Sequence, residues 1–247
     1  MAGRYYTIDG EKYPSVTTIL DVLNKPQLVN WAARLTRDYI KDELFAFRRA
    51  DSLKDLNIDD LLTKSASEHN RVKTAAADRG TDIHRRIASY VGNKYQYIAH
   101  DEDPVVTAFR AWQDSAQFVP IASEKLVYSL EHGYAGTTDL IGVVRNGRLA
   151  LLDIKTGRGV YPEYKLQLAA YAVAYGEMTE RFPEVCLNLH ISSEETPTIT
   201  EANTVTAAEL FPLFQTFLAA KRLFEWLSAV QLSSKQRQER NIEAISI

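Results

Sequence analysis

The chain has 247 residues, of which 45% are hydrophobic and 25% are charged, and its formal net charge at pH 7 is -3. These proportions are typical of a soluble globular protein and exclude a disordered or fibrous chain. The single cysteine excludes an internal disulfide, a cysteine-rich zinc site and a four-cysteine iron–sulfur cluster, and the small negative charge argues against binding along long nucleic acids by bulk attraction.

The N-terminal segment is predicted to form a small hairpin followed by a short helix. Apolar and polar residues alternate on both sides of Asp9-Gly10, a pair that favours a tight turn between two strands. Ser15 is suited to cap a helix that ends near Leu20. Pro26 is suited to the first turn of the helix that comes next.

The region that follows is predicted to be mainly helical. The helical pattern extends from about Gln27 to Val91, and its charge-rich middle, from Asp51 to Lys73, predicts a loop or a mobile helical pair. Between Arg34 and Lys94 there are thirteen Lys or Arg residues against ten Asp or Glu residues, so this part is mildly basic. A further helix is expected from Pro104 to Gln117.

Beyond that helix the periodicity changes to that of strands. A helix beginning at Pro162 interrupts the strands, and a last helix from Ala207 to about Val230 follows them. This order predicts an α/β or α+β fold in which helices flank a mixed central sheet. The five predicted strands are Ile121–Leu130, Tyr134–Val144, Leu149–Ile154, Val185–Ser192 and Thr196–Ala202.

No repeat, low-complexity tract or linker divides the chain, so we expect a single domain over residues 1–247. Residues 1–118 are expected to be its mainly helical part, residues 119–232 its catalytic α/β core, and residues 233–247 a polar, frayed tail. The chain shows no apolar signal-peptide core and no run approaching about 18 apolar residues, so we expect a cytoplasmic protein without a membrane partner.

Two isolated carboxylates stand out because each lies in an apolar predicted strand. Asp139 follows Gly136 in the motif Gly-x-x-Asp, and Asp153 lies two residues before Lys155. Side chains alternate along a strand, so Asp153 and Lys155 share one face of the sheet. On its own, Asp-x-Lys also fits a structural ion pair at the end of a sheet.

The turn between these two strands decides whether the carboxylates meet. A two-residue loop, Asn146-Gly147, would place them on opposite faces of the sheet. A three-residue loop that begins at Arg145 and has Gly147 in the left-handed conformation pairs Val144 with Arg148, and therefore pairs Asp139 with Asp153. We choose the second register, because only it forms a site.

In that register the two carboxylates lie roughly 5 Å apart at Cβ and repel each other unless a cation lies between them. Mg²⁺ or Mn²⁺, which prefers oxygen ligands, is the natural occupant. Lys155 would then hold or activate the attacking water, or offset negative charge on a phosphate.

Five further side chains are weaker candidates. Tyr164, Gln167 and Tyr171 follow helical spacing and form a polar, aromatic stripe that could bind phosphate and stack on a base, although a half-buried surface has the same pattern. His84 is either a metal or phosphate ligand or a satisfied core residue. Glu124, which is expected to open the first long strand, is either a metal or water ligand or an exposed residue at the end of the strand. The other four histidines show no metal-ligand spacing.

Taken together and in order, these motifs resemble the RecB-like branch of the PD-(D/E)XK nuclease superfamily. The early run from Pro14 to Leu20 resembles a segment of the phage and mitochondrial exonucleases in that branch, and the cysteine count leaves its cluster-free members. The resemblance implies a restriction-endonuclease-like core with an N-terminal helical elaboration. The motifs that carry it are Arg79-Gly80-x-x-x-His84, Gly136-x-x-Asp139, Asp153-x-Lys155 and Gln167-x-x-x-Tyr171.

The resemblance also implies roles for single residues. Asp139 and Asp153 would bind Mg²⁺ or Mn²⁺ together with the backbone carbonyl of Ile154, and His84 would complete or support the metal site. Lys155 would position the nucleophilic water. Gln167 and Tyr171 would hold the DNA strand, and a basic helical arch over about residues 34 to 80 would thread a single strand.

The expected function is that of a metal-dependent DNA exonuclease acting on single strands or strand ends in recombination, repair or replication, with a recombination or replication protein as a further partner. The alternatives are a structure-specific endonuclease on the same fold and a catalytically silent DNA-end-binding protein. The intact set of acidic, basic and histidine positions argues against the silent protein. A phage or bacterial source is expected over a mitochondrial one, because no transit segment is present.

Overall fold

The computed structural model describes residues 3–23, 25–49, 55–92, 103–157, 159–192 and 194–245, with side chains up to residue 234. Within these ranges the chain forms helices and strands in the following order: β1 (Tyr5–Ile8), β2 (Glu11–Pro14), α1 (Val16–Leu20), α2 (Pro26–Arg49), α3 (Ile58–Gly92), α4 (Pro104–Ala116), β3 (Val119–Ser129), β4 (Tyr134–Val144), β5 (Arg148–Lys155), α5 (Glu163–Thr179), β6 (Val185–Ile191), β7 (Ile199–Val205) and α6 (Ala207–Ile245).

The chain divides into two compact units. The smaller one, Asn24–Asp82, contains α2 and the larger part of α3. The two helices are linked by a hydrogen bond from Thr36 Oγ1 to the carbonyl oxygen of Ser65 at 3.2 Å. None of the residues of α2 is fully buried, so this helix presents most of its surface to solvent.

The larger unit comprises Met1–Leu23 and Ile83–Ile247 and is built on a five-stranded sheet. The strand order is β3-β4-β5-β6-β7, and all neighbours are antiparallel except β5 and β6. The helix α5 forms the crossover that the parallel pair needs. The predicted mixed sheet flanked by helices is therefore confirmed.

Apolar layers cover both faces of the sheet. On one face, side chains of α1, α5 and α6 pack together, with Tyr134 and Phe217 among the largest fully buried residues. On the other face, the last turns of α3 and the helix α4 pack on the strands through residues such as Ile87 and Phe109. The sheet is thus the middle layer of three, and its central strands β4, β5 and β6 are largely buried.

Several local predictions are confirmed by the backbone. Asp9 and Gly10 both have positive φ angles, as the predicted tight turn between β1 and β2 requires. The backbone N–H of Thr18 donates to Ser15 Oγ at 3.0 Å, so Ser15 caps α1 as expected. The helices α2 and α4 begin at Pro26 and Pro104.

The boundaries of α3, β7 and α6 differ most from the predictions. The helix α3 is continuous from Ile58, so the loop predicted within the charge-rich middle is confined to the residues before it: residues 55–57 are not α-helical, and residues 50–54 lie outside the described part. The strand β7 begins at Ile199 because Ser192 and Thr198 close the turn before it, with the N–H of Ser192 donating to the Thr198 carbonyl at 3.0 Å.

The predicted end of the last helix near Val230 is wrong, since α6 extends to Ile245 through the expected polar tail. No Gly or Pro follows Pro212 in this helix, and the segment after Ser234 is rich in Lys, Gln, Arg and Glu. These residues have high helix propensity, so polarity alone does not end the helix. In the described part of the chain, no helix combines the length and the apolar character needed to cross a membrane.

Cys186 offers a test of the described core. It lies on β6 and is buried, and burial raises the pKa of its thiol to about 12. A thiol that stays protonated and inaccessible does not react with thiol reagents. We expect an aromatic disulfide reagent to label the protein only after denaturant unfolds it, as followed by absorbance, and rapid labelling of the folded chain would contradict this packing.

Candidate metal-binding and catalytic site

The turn between β4 and β5 brings the two predicted carboxylates together. Arg145 to Gly147 form a tight turn in which Asn146 and Gly147 have φ angles of 68° and 72°, and Val144 pairs with Arg148. This is the predicted three-residue register. The ladder runs from that pair to Leu140 and Leu152, so Asp139 and Asp153 lie one position beyond it on the same face of the sheet.

Where the backbone pairing of β4 with β5 ends, side chains of β4 bind the backbone of β5. Asp139 Oδ2 accepts the backbone N–H of Ile154 at 2.5 Å, and Thr138 Oγ1 donates to the carbonyl oxygen of Leu152 at 3.2 Å. Buried backbone groups need partners, and here two β4 side chains supply them. Asp139 is thereby held in a fixed orientation at the end of β5.

His84 and Glu124 lie beside Asp139. The ring Nδ1–H of His84 donates to Asp139 Oδ1 at 3.0 Å, which leaves Nε2 of the neutral ring as the ligand nitrogen. One ligand atom from each of His84, Glu124 and Asp139 lies within 4.8 Å of the other two. The structure therefore joins three of the predicted site residues into one group that could hold a metal ion.

Glu124 differs from its predicted setting in two respects. It lies inside β3 and does not open that strand, and its φ of 48° is left-handed. A non-glycine residue with a positive φ is uncommon and is strained in the middle of a strand. The strained backbone directs an exposed carboxylate toward Asp139 and His84.

Asp153 is almost fully buried, at 3% exposure, and its carboxylate is held by donors from three elements. Its Oδ2 accepts from Lys155 Nζ at 2.7 Å and from Asn188 Nδ2 at 2.8 Å, and its Oδ1 accepts from Gln167 Nε2 at 3.2 Å. Asp153 does not belong to the three-residue group around His84. Its Oδ1 keeps the greater capacity to bind a cation.

Negative charge accumulates at this end of the sheet. Burial raises the pKa of Asp153, with Asp139 adding to the rise and Lys155 opposing it. Burial also raises the pKa of Glu124, again with a contribution from Asp139. Burial lowers the pKa of His84, but the hydrogen bond to Asp139 and the nearby carboxylates outweigh it, so the net shift is upward. A bound cation would relieve this repulsion.

The donor set fits a hard divalent cation. Three carboxylates and an imidazole are available, and oxygen-rich sets of this kind suit Mg²⁺ or Mn²⁺. The N–H of Ile154 points toward Asp139, and the carbonyl of an extended residue points to the same neighbouring strand as its N–H. The Ile154 carbonyl therefore faces the side on which Asp139 lies.

The polar stripe on α5 lies against Lys155. Lys155 Nζ donates to Gln167 Oε1 at 2.8 Å, and Gln167 Nε2 also donates to the Tyr171 hydroxyl at 2.9 Å. Lys155 Nζ is 4.5 Å from the centre of the Tyr164 ring, a cation–π contact. Burial raises the pKa of Tyr164 to about 12. Gln167 and Tyr171 are both buried; Gln167 binds Lys155 and Asp153, and Tyr171 contacts this pair only through Gln167.

The close approach of α5 explains why position 136 is a glycine. A Cβ atom at this position would lie 2.4 Å from the ring of Tyr171, closer than any carbon contact allows. Only glycine lets β4 approach α5 so closely. The glycine of the Gly-x-x-Asp motif thus makes room for the tyrosine of the Gln-x-x-x-Tyr motif.

Two features were missed by the sequence reasoning. Asn188 contacts Asp153, and its only signal is an isolated polar residue in the apolar strand β6. His132 lies near Glu131 and Glu177, a second group with metal-ligating side chains. No spacing predicts that group, because Glu177 lies far from His132 in the sequence.

Comparison with protein-family models gives a match over residues 51–240 to a model described as the PD-(D/E)XK nuclease superfamily. No curated protein matches the chain.

Three solved structures are similar at low identity. An alkaline exonuclease from Laribacter hongkongensis is 15% identical over 52% of this chain and 70% of its own, with a TM-score of 0.31. A Eubacterium rectale protein proposed to be an exonuclease is 10% identical over 86% and 79%, with a TM-score of 0.39. A repair endonuclease from Pyrococcus abyssi is 20% identical over 42% of each chain, with a TM-score of 0.24.

Replacement of Gly136 tests the contact between β4 and α5. Gly136→Ala should lower the free energy of unfolding by about 1–3 kcal/mol, because the added methyl group overpacks the Tyr171 ring. Denaturant unfolding measures this change. Gly92→Ala is the matched control, since a Cβ there meets nothing within 4 Å. Equal unfolding midpoints for both variants and wild type would show that Tyr171 does not pack as described.

Proposed function

We propose, from the premise that the chain belongs to the PD-(D/E)XK nuclease superfamily, that it is a metal-dependent DNA exonuclease of the RecB-like branch acting on single strands or strand ends. The observation that carries the proposal is the contact of Lys155 with Asp153 and Gln167 beside the group of His84, Glu124 and Asp139. These residues bring acidic ligands and a positively charged donor to one end of the sheet. That combination suits hydrolysis of a phosphodiester bond.

The metal ligands in this proposal are Asp139, Asp153, the carbonyl of Ile154 and His84, with Glu124 as a further ligand or as a base for water. The chemistry supplied by bound Mg²⁺ or Mn²⁺ is neutralisation of phosphate charge and a lower pKa of a bound water. Asp139 is held by Ile154 and His84, and Asp153 by its own donors, so the carboxylates are in place before a cation binds.

Lys155 is proposed to hold the attacking water or to offset charge that develops on the phosphate. Its ammonium group lies between Asp153, Gln167 and the ring of Tyr164, and this position restricts its rotamers. A donor fixed in advance costs little reorganisation when charge develops. Lys155 is thus the residue on which turnover depends most directly.

The α5 stripe is proposed to serve the DNA strand in two ways. Tyr164 is only half-buried and offers an aromatic surface near Lys155 for a base or sugar. Gln167 and Tyr171 are buried and act on the strand by keeping Asp153 and Lys155 in position.

The unit Asn24–Asp82 is proposed to bind single-stranded DNA, as the predicted basic arch implies. Arg34, Arg37, Lys41 and Arg48 are exposed and follow helical spacing along one side of α2. Phe45, at 53% exposure, lies beside Lys41, whose Nζ is 5.9 Å from the ring centre. Basic side chains with an exposed aromatic residue between them are typical of surfaces that bind unpaired strands.

The decisive experiment is a time course on linear and circular oligonucleotides labelled at either end, with Mg²⁺, Mn²⁺ or a chelator. Linear strands should shorten only with metal, and the label released first gives the polarity. Asp153→Ala and Lys155→Ala should each abolish cleavage, but only Asp153→Ala should substantially weaken Mn²⁺ binding. It removes a ligand, whereas Lys155→Ala removes a hydrogen bond to Oδ2 together with a positive charge that repels the ion, and the two effects offset each other. Lys165→Ala, whose lysine on the same helix as Gln167 pairs with Glu209, is the control and should cleave normally.

Other outcomes of this time course separate the alternatives. Cleavage of circles would identify a structure-specific endonuclease. Binding of DNA ends without cleavage in any metal would identify the catalytically silent protein. Equal loss of Mn²⁺ binding in both alanine variants would mean that Lys155 supports the metal site and does not act on water or phosphate.

The proposed strand-binding role of α2 is tested by charge removal. Each phosphate contact on a single strand contributes roughly 0.7 to the slope of log affinity against log salt concentration. The double variant Arg34→Gln/Lys41→Gln should therefore lower that slope by about 1.4 in fluorescence anisotropy with a labelled single strand. Lys64→Gln/Arg71→Gln is the matched control, because both cations already pair with carboxylates. Equal slopes for the two double variants would reject α2 as a strand-binding surface.

A further inference from the structure

Asn188 is a buried amide that none of the motifs includes. It lies in the middle of β6 with 0% exposure, between the buried side chains of Leu187 and Leu189 in the sequence. Burying an amide away from water costs free energy unless its donors and acceptors are satisfied. An apolar residue would fill this place in the strand at lower cost, so the partners of Asn188 indicate why an amide is present.

Those partners form a row across three strands. Asn188 is paired with Asp153 on the parallel strand β5 and with Asn203 on the antiparallel strand β7. Its Nδ2 donates to Asp153 Oδ2 at 2.8 Å, and its Oδ1 accepts from Asn203 Nδ2 at 3.1 Å. The row therefore connects the carboxylate of the candidate site to the edge strand of the sheet.

Chemistry determines which group donates and which accepts in each hydrogen bond of this row. An ionised carboxylate only accepts hydrogen bonds, so Asn188 must turn its amino group toward Asp153. Its carbonyl oxygen then faces β7 and requires a donor, which Asn203 supplies with its own amino group. Reversal of either amide would place two acceptors against each other, so each hydrogen bond requires the other.

The row also determines which oxygen of Asp153 is available. Asn188 and Lys155 both donate to Oδ2, whereas Oδ1 accepts only the longer bond from Gln167 at 3.2 Å. We propose that Asn188, oriented by Asn203, is a positioning residue that fixes the rotation of the Asp153 carboxylate and presents Oδ1 to the metal ion. This inference rests on the metal site of the proposed function, but not on cleavage of DNA.

The sharpest test replaces a hydrogen-bond donor of the row with an acceptor and keeps the shape of the side chain. Asn203→Asp has nearly the same shape as wild type but replaces the amino donor with an acceptor, so Asn188 must either turn its amino group away from Asp153 or face a carboxylate. The full-length variant should bind Mn²⁺ alone about 10-fold or more weakly, the range found when partners of metal ligands are removed. Electron paramagnetic resonance of free Mn²⁺ during a titration measures this affinity.

The control separates orientation from charge. Thr200→Asp adds the same negative charge to the same strand at an exposed position that has no part in the row. Added negative charge alone should leave Mn²⁺ affinity unchanged or slightly higher. Weaker binding in Asn203→Asp together with unchanged or tighter binding in Thr200→Asp supports positioning. Affinity within twofold of wild type in Asn203→Asp overturns it.

A second variant keeps the inference testable if Asn203→Asp does not fold. Asn188→Leu conserves the approximate volume and removes both hydrogen bonds, and it should also lose about 10-fold or more in Mn²⁺ affinity while its circular dichroism stays that of wild type. Unchanged affinity in this folded variant would overturn the inference. A wild-type chain that binds Mn²⁺ but cleaves no DNA would reject the proposed nuclease and leave the inference standing. A wild-type chain that binds no Mn²⁺ would overturn both.

Discussion

The pairing of β4 with β5 is the constraint on which the candidate site depends. Asp139 and Asp153 lie on the same face only because a three-residue turn joins the two strands. A loop shorter by one residue would turn every side chain of one strand to the opposite face and leave one carboxylate on each side of the sheet. Asn146 and Gly147 both adopt the left-handed conformation in this turn, which Asn and Gly do at lower steric cost than other residues. Two backbone conformations far from the carboxylates thus determine whether they meet.

Burial of Asp153 imposes the next requirement. An isolated ionised carboxylate in an apolar interior is so costly that it normally takes up a proton. Here β5 supplies Lys155, α5 supplies Gln167 and β6 supplies Asn188, so the charge is shared among donors from three elements. Removal of one donor would leave a buried charge poorly compensated. The same contacts that stabilise the charge also hold the residues that would act on a phosphate.

The sequence predicted the parts of the site that depend on local order. The strands β4 and β5, the turn between them, and the common face of Asp153 and Lys155 follow from alternation and turn chemistry, and the structure confirms them. It could not predict the left-handed backbone of Glu124, since Glu has no intrinsic preference for that conformation. It also could not predict the row through Asn188, because the pairing of β5, β6 and β7 joins segments distant in sequence.

The long helix α6 shows the opposite limit of sequence reasoning. Its polar end was expected to fray because polarity resembles a tail, but helix propensity without a terminating Gly or Pro carries the backbone to Ile245.

Gly136 shows how tertiary packing gives meaning to a local signal. In the sequence Gly136 is only part of a motif, whereas in the fold the absence of a side chain there leaves room for the ring of Tyr171. Tyr171 in turn accepts a hydrogen bond from Gln167, and Gln167 binds both Lys155 and Asp153. The geometry of the site therefore requires the close packing of β4 against α5.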